Sequence, residues 1–403
     1  MVITKISADG FKNLKKVEIY PHEKMNIFCG KNAQGKTNLI EAIWLCSGVY
    51  KMSTCCGKNA QGKTNLIEDI WLCSGVRSFR NTKDREMIDI NGQFMNIDIS
   101  FKNSFRSQDI HFAMARPNVR EKNVTLNGVK LKTPSKLFGS LDCVIFTPED
   151  LELSKGSPEN RRQFLDLSVS QIKNSYSSVI SKYDDLIEQR NILLKNICYG
   201  RSKREELEVW DIQLAQLGAY ISLLRYNYTK KLDMFAKKLY EDISEGRERL
   251  ELEYYSTVYS NLEGRKDYAG EMAEEYLSCL QNNLDDDIRA GFTQKGVHRD
   301  DLAGKINGLA VRQFASQGQH RSLALILKLS QAYILAEEID DSPCILLDDV
   351  LSELDLSRQK FVISKIHDMQ VFITCCDRNI PFDEKSHGKI FNIENGMIVQ
   401  ENK

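Results

Sequence analysis

Gly30, Gly35, Lys36 and Thr37 fall in the spacing G-x-x-x-x-G-K-T, and Gly57, Gly62, Lys63 and Thr64 repeat it. The two runs sit in residues 24–50 and 51–77, stretches of 27 residues each that share 22 identical positions and have no spacer between them. Glycines at this spacing let successive backbone N–H groups turn toward one anion, and the helix that follows aims its positive end at the same point. A lysine there reaches the β and γ phosphates of a nucleoside triphosphate, while the threonine hydroxyl gives one oxygen to Mg2+. The first run therefore nominates Gly30, Lys31, Asn32, Ala33, Gln34, Gly35, Lys36 and Thr37 as a phosphate cradle, with Thr37 on the metal.

The differences between the copies favour the first. Ile27 and Phe28 lead into the first loop where Thr54 and Cys55 lead into the second, and the former pair suits a strand buried on both faces. Ala42 becomes Asp69 beside Ile70, Trp71 and Leu72, and an unpaired carboxylate near a core is costly. Arg77-Ser78-Phe79-Arg80 reads as the natural continuation of the fold. The second copy is thus a tandem insert, and the first loop is expected to hold the nucleotide.

A second constellation lies near the other end of the chain. Cys344-Ile345-Leu346-Leu347-Asp348-Asp349 is an apolar strand ending in two carboxylates, a pattern in which the first acid holds Mg2+ and the next polarises water. Alone it is a common strand ending. Leu351-Ser352-Glu353-Leu354-Asp355 follows it directly, and Ala315-Ser316-Gln317-Gly318-Gln319-His320-Arg321 stands upstream at the start of a helix patterned by Leu323, Leu325, Ile326 and Leu329. Serine and glycine at a helix start make another anion site, this time without a lysine.

The elements around these sites divide by period. Strand patterns occupy residues 2–7, 16–20, 94–101, 110–115 and 124–131, the last turning at Asn127-Gly128. From Glu159 the period becomes helical, with Leu165, Val169, Ile172, Tyr176, Val179, Tyr183 and Leu186 stepping by four and three. A second seam, Leu207, Trp210, Leu214, Leu217, Ile221, Leu224 and Tyr228, follows a polar break near residues 199–203. The seams are too short for a long coiled-coil arm and fit either an antiparallel hairpin or a compact helical domain.

Composition sets the outer limits. The 403 residues suffice for an α/β domain and a second module. With 55 basic against 56 acidic residues, any nucleic-acid contact has to come from a local patch. Eleven cysteines, five of them in the repeats and none in a C-x-x-C pair, point to reduced thiols in a cytosolic protein. No apolar leader and no membrane-length apolar run is present, so a cytoplasmic protein without membrane contact is expected.

Taken together the motifs resemble the ATPase head of the ABC and SMC superfamily, and within it the RecF family. Ser316-Gln317-Gly318-Gln319 is similar to the RecF form of the signature, Asp348-Asp349 to the Walker B pair, and residues 352–355 to the D-loop. Family-specific matches are Phe146-Thr147-Pro148-Glu149-Asp150-Leu151, Gly156-Ser157-Pro158, Arg161-Arg162-Gln163-Phe164-Leu165-Asp166, His298-Arg299-Asp300-Asp301 and Phe372-Ile373-Thr374. Val297 and His320 depart from it, standing where proline and glutamine are usual. The resemblance implies a P-loop α/β head with a mixed sheet, built from residues 1–155 and 291–403, and an inserted helical arm at 156–290. It also implies ATP and Mg2+ as cofactors, with Thr37 and Asp348 on the metal and Asp348 and Asp349 as the catalytic pair. Two heads would dimerise on ATP, Ser316, Gly318 and Gln319 of one copy facing the nucleotide of the other.

DNA repair follows from the same resemblance: gapped, single-stranded or duplex DNA held without sequence choice, recombinational repair, replication restart and SOS response, with RecR, RecO and RecA as partners. Arg77, Arg80, Lys83, Arg161 and Arg162 are the candidate DNA-binding cations. Asp349 is one methylene shorter than the glutamate usual in the superfamily, so hydrolysis is expected to be slow. A clamp that holds ATP and DNA with negligible turnover is the alternative. An ABC transporter subunit fits less well, because Ser316 follows Thr37 by 279 positions (316 − 37).

Overall fold

In the computed structural model, residues 1–31, 34–48, 84–116, 118, 121–375 and 388–402 are described. The second loop copy, Arg77, Arg80, Lys83, Asn32 and Ala33 lie outside them. Two compact units result, one formed by both ends of the chain, up to Glu152 and again from Arg321, the other centred on Leu153–His320.

The end-built unit holds two six-stranded sheets. In one, the order is Met397–Asn402, Gly388–Glu394, Met25–Cys29, Val371–Cys375, Cys344–Asp348, Cys143–Phe146. All but the Met397–Asn402 edge run parallel. Every residue of Met25–Cys29, Val371–Cys375 and Cys344–Asp348 is buried, which is why these strands read as unbroken apolar runs rather than alternating ones. The other sheet is antiparallel, and its strands Phe94–Lys102 and Ser107–Ala115 alternate buried with exposed. The Asn127-Gly128 turn joins Asn123–Leu126 to Val129–Lys130 within it.

Helix Lys36–Cys46 packs on strands of both sheets, and nine of its eleven residues are buried. A helix covered on all sides needs apolar residues all round, and Leu39, Ile40, Ile43, Trp44 and Leu45 supply them. Its one buried carboxylate, Glu41, is neutralised by the Lys12 ammonium at 2.5 Å.

In the second unit, helices Pro158–Ile172, Tyr176–Cys198, Glu208–Ile243, Glu271–Asn282 and Leu284–Ala290 accompany a three-stranded sheet of Leu250–Tyr255, Asp301–Ile306 and Leu309–Ala310. This is the compact-domain alternative rather than a bare hairpin. The first seam is not one helix, as its period implies: Lys173 leaves the helical region at φ −128°, ψ 91° and the chain restarts at Tyr176. Spacing by four and three crosses such a break unseen. Buried ion pairs fill the interior. Arg225 holds both carboxylate oxygens of Asp166 at 2.7 Å, and Arg190 meets Asp211 at 2.6 Å and Asp287 at 2.7 Å. Among the described residues no helix is long and apolar enough to cross a membrane.

Candidate nucleotide site

The parallel sheet brings its chemistry to one end. Register pairs Asp348 with Thr374, and Cys375 with Cys29, so the second acidic motif and the first loop leave neighbouring strand ends on the side where open α/β sheets bind ligands. From Cys29 the chain turns at Gly30, where a Cβ would come 2.4 Å from Ile393 O. Gly35 then opens the helix at φ 108°, and a Cβ there would lie 2.7 Å from Asn13 Oδ1. Among the described residues, helix Lys36–Cys46 has no side-chain cap and no acidic residue in its first turn, an arrangement that leaves its N-terminal amides to an anion. The Lys36 ammonium is held by the carbonyl oxygens of Gly30 at 2.5 Å and Cys375 at 2.8 Å. A cation parked on neutral carbonyls beside uncapped amides fits a polyphosphate. Lys31 is exposed, and Gln34 and Thr37 are half-buried.

Asn13 and Asn395-Gly396 are additions that sequence reasoning missed. Asn13 Oδ1 accepts from Asn38 Nδ2 at 2.7 Å, and the turn after Gly388–Glu394 clamps the loop, Asn395 N and Gly396 N donating to Gln34 Oε1 and Gln34 O at 2.6 and 3.0 Å. The Asn-Gly pair was a legible hairpin signal, but nothing in it announces the loop it touches.

Asp348 is 2% exposed, and Thr374 Oγ1 donates to its Oδ1 at 2.9 Å. The same threonine oxygen accepts from Asp349 N at 2.9 Å. Thr374 thereby orients one acid and fixes the backbone of the next. Asp349 sits in the left-handed region at φ 54°, and among the described residues no group donates to its half-buried carboxylate. Asp355 caps helix Leu356–Ile366 by accepting from Arg358 N at 3.0 Å, a bond that lowers its pKa.

The signature residues belong to the second unit. Ser316 and Gln319 form a reciprocal box, Ser316 N donating to Gln319 Oε1 at 2.7 Å and Gln319 N to Ser316 Oγ at 3.3 Å. Ser316 is exposed and Gly318 half-buried. Arg161 has to be corrected. It is buried, with Nε and Nη2 on the two oxygens of Asp301 at 2.7 and 2.8 Å and Nη1 on Gly156 O at 2.8 Å, so it braces the fold rather than offering a free cation. Arg162 is half-buried, donates to Asp300 O at 2.9 Å, and has its pKa lowered by burial and then by Arg225.

A glycine loop and an acidic strand end at the carboxyl ends of strands in one sheet, with a serine-glycine helix start in an inserted unit, define a P-loop ATPase head of the ABC and SMC type. The chain matches the AAA ATPase domain family over residues 1–346. It belongs to the RecF family of DNA replication and repair proteins. The RecF of Alkaliphilus oremlandii is 35% identical over 399 residues, covering 99% of this chain and 100% of that protein. A solved structure of the recombination mediator protein RecF-ATP in the RecFOR pathway superposes with a TM-score of 0.80 at 32% identity, covering 100% of this chain and 98% of that one. An SMC head bound to the C-winged helix domain of ScpA shares the fold, with a TM-score of 0.52 at 15% identity over 100% of this chain and 98% of that one.

Proposed function

We propose that the chain is an ATP-gated DNA-binding switch of recombinational repair. Each copy takes ATP on the loop 30–37, with Lys36 exchanging its carbonyl partners for the β and γ phosphates and Thr37 and Asp348 holding Mg2+. Two copies then close on the nucleotide, and Ser316 and Gly318 of one cap the γ phosphate bound to the other, an isologous arrangement with two equal sites. The closed dimer holds gapped or duplex DNA through phosphates and, with RecR and RecO, helps load RecA onto single strands. Arg162 and the cations at 77, 80 and 83 are its proposed phosphate contacts.

The observation that carries this reading is the Lys36 ammonium, held on Gly30 O and Cys375 O at an uncapped helix start. Slow turnover suits the second acid. Asp349 is short, its backbone is pinned by Thr374, and its carboxylate is free to hold water. That favours a timer over a motor, and the clamp without turnover is its limiting case. The test is ATP-dependent dimerisation by light scattering. The wild type should dimerise with ATP, and Ser316→Arg, which places a bulky cation at the composite site, should stay monomeric. An arginine variant that still dimerises would show that the signature does not face the partner's nucleotide.

A further inference from the structure

Gln319 reaches beyond its capping box. Its Nε2 donates to Glu248 Oε1 at 2.8 Å, and the other oxygen, Oε2, accepts from the Tyr240 hydroxyl at 2.9 Å. Tyr240 is buried near the end of helix Glu208–Ile243, while Glu248 lies just before strand Leu250–Tyr255. Ser244 Oγ further ties the turn between them by donating to Glu248 O at 3.3 Å.

Polarity gives this bridge its significance. An ionised carboxylate only accepts, so the amide of Gln319 has to turn its NH2 group toward Glu248 and its oxygen toward Ser316 N. With that orientation the box closes. Ser316 Oγ then uses one acceptor position on Gln319 N, and its hydroxyl proton has no partner among the described residues. A serine held this way has its Oγ seated at the helix start and its exposed O–H available to a further acceptor. If the amide flipped, its NH2 would face the Ser316 N–H, donor against donor, and the box would open.

We propose that Glu248 is a positioning residue for the signature: its carboxylate sets the amide polarity of Gln319, whose oxygen holds the Ser316 backbone N–H and so keeps Ser316 seated with its hydroxyl facing the partner's γ phosphate. The arm helix is wired to the signature through the same carboxylate, by way of Tyr240. This rests on the composite ATP dimer proposed above, with Glu248 acting through Gln319.

Three substitutions separate polarity from packing. Glu248→Gln keeps an acceptor for Gln319 and offers its NH2 to the Tyr240 oxygen, so ATP-induced dimerisation should stay near wild type. Glu248→Ala removes the acceptor, and the protein concentration for half-dimerisation should rise about tenfold, the scale of one hydrogen bond to a charged group. Glu248→Lys presents only donors, forces the flipped amide, and should weaken dimerisation more than alanine does. ATP affinity at concentrations where the protein is monomeric, and the thermal melt, should change little across the series. A lysine variant no worse than alanine, or a glutamine variant as poor as alanine, overturns the polarity argument. An alanine variant that dimerises like wild type overturns the role of Glu248 while leaving the ATP dimer standing. A wild type that does not dimerise with ATP, tested alongside, overturns both. Should alanine lower the melt, the glutamine and lysine pair still decides, because glutamine offers Gln319 an acceptor and lysine offers it only donors.

Discussion

Lys36 illustrates how much one side chain can carry and how little its neighbours reveal. Its ammonium is seated by two carbonyls, Gly30 just past the end of strand Met25–Cys29 and Cys375 at the end of the neighbouring strand, which the parallel register brings together. Thr374 does comparable work for the acids, donating to Asp348 and accepting from Asp349 N through one oxygen. The choice between loop copies also belongs at this scale. Ala42 is 0% exposed, so the aspartate that the second copy carries at the matching place, Asp69, would enter a fully enclosed position without a built partner. Lys36→Ala should therefore abolish ATP binding, read by fluorescent nucleotide titration, and Lys63→Ala should leave it nearly intact. Equal losses, or the reverse order, would assign the nucleotide to the second loop.

At the scale of elements, periodicity was a sound guide to type and a poor one to interruption. The strands 2–7, 94–101 and 110–115 appear where their alternation placed them, as Val2–Asp9, Phe94–Lys102 and Ser107–Ala115. The seam through Leu165 and Leu186 is cut at Lys173, because a helix break that preserves the four-and-three spacing leaves no mark in it. Tertiary polar contacts were equally illegible. His298 links helices Tyr176–Cys198 and Glu271–Asn282 to the loop before Asp301–Ile306. Its Nε2 faces Thr293 O at 3.0 Å and so carries the proton, while Nδ1 accepts from Tyr183 at 3.1 Å, whose hydroxyl is 2.7 Å from that of Tyr276. Burial, reinforced by Arg299, Arg162 and Arg190, pushes the pKa of His298 down to about 4 although the Thr293 carbonyl opposes this. An unfolded histidine titrates near about 6.5, so between those values the unfolded chain holds a proton that the folded one lacks. The stability contribution is complete above the unfolded value and is lost as pH falls toward 4. In urea melts, His298→Gln should lose less stability than wild type between about pH 7 and pH 5. Parallel losses would mean the imidazole is not held neutral.

For the whole molecule, the motifs proposed to bind by backbone and charge could be named from the sequence because each is local: the glycine loop, the acidic strand end and the signature. What joins them was not, since Asn13, Asn395 and Glu248 act through residues distant in sequence. The duplication tests the same distinction between local and global consistency. A loop twice as long costs only about 0.6 kcal/mol more to close, so entropy alone would tolerate residues 51–77. Their composition is the difficulty. The helix of the first copy, Lys36–Cys46, is enclosed by two sheets, and its repeat brings Leu66, Ile67, Ile70, Trp71 and Leu72, the same all-round apolar surface. A second such helix without an equal slot leaves that surface to attract other chains, and one that displaces the first helix puts Asp69 where Ala42 now sits. A version lacking residues 51–77 and carrying Tyr50→Arg, which restores the junction that Arg77 makes with Ser78, should melt higher and aggregate less at equal ATP affinity. Thermal melts with light scattering on both forms decide the matter. A full-length chain that melts at or above the deletion would mean that the second unit has been built into the fold, and the assignment of nucleotide to Lys36 would then have to be made again from the Lys36→Ala and Lys63→Ala titrations alone.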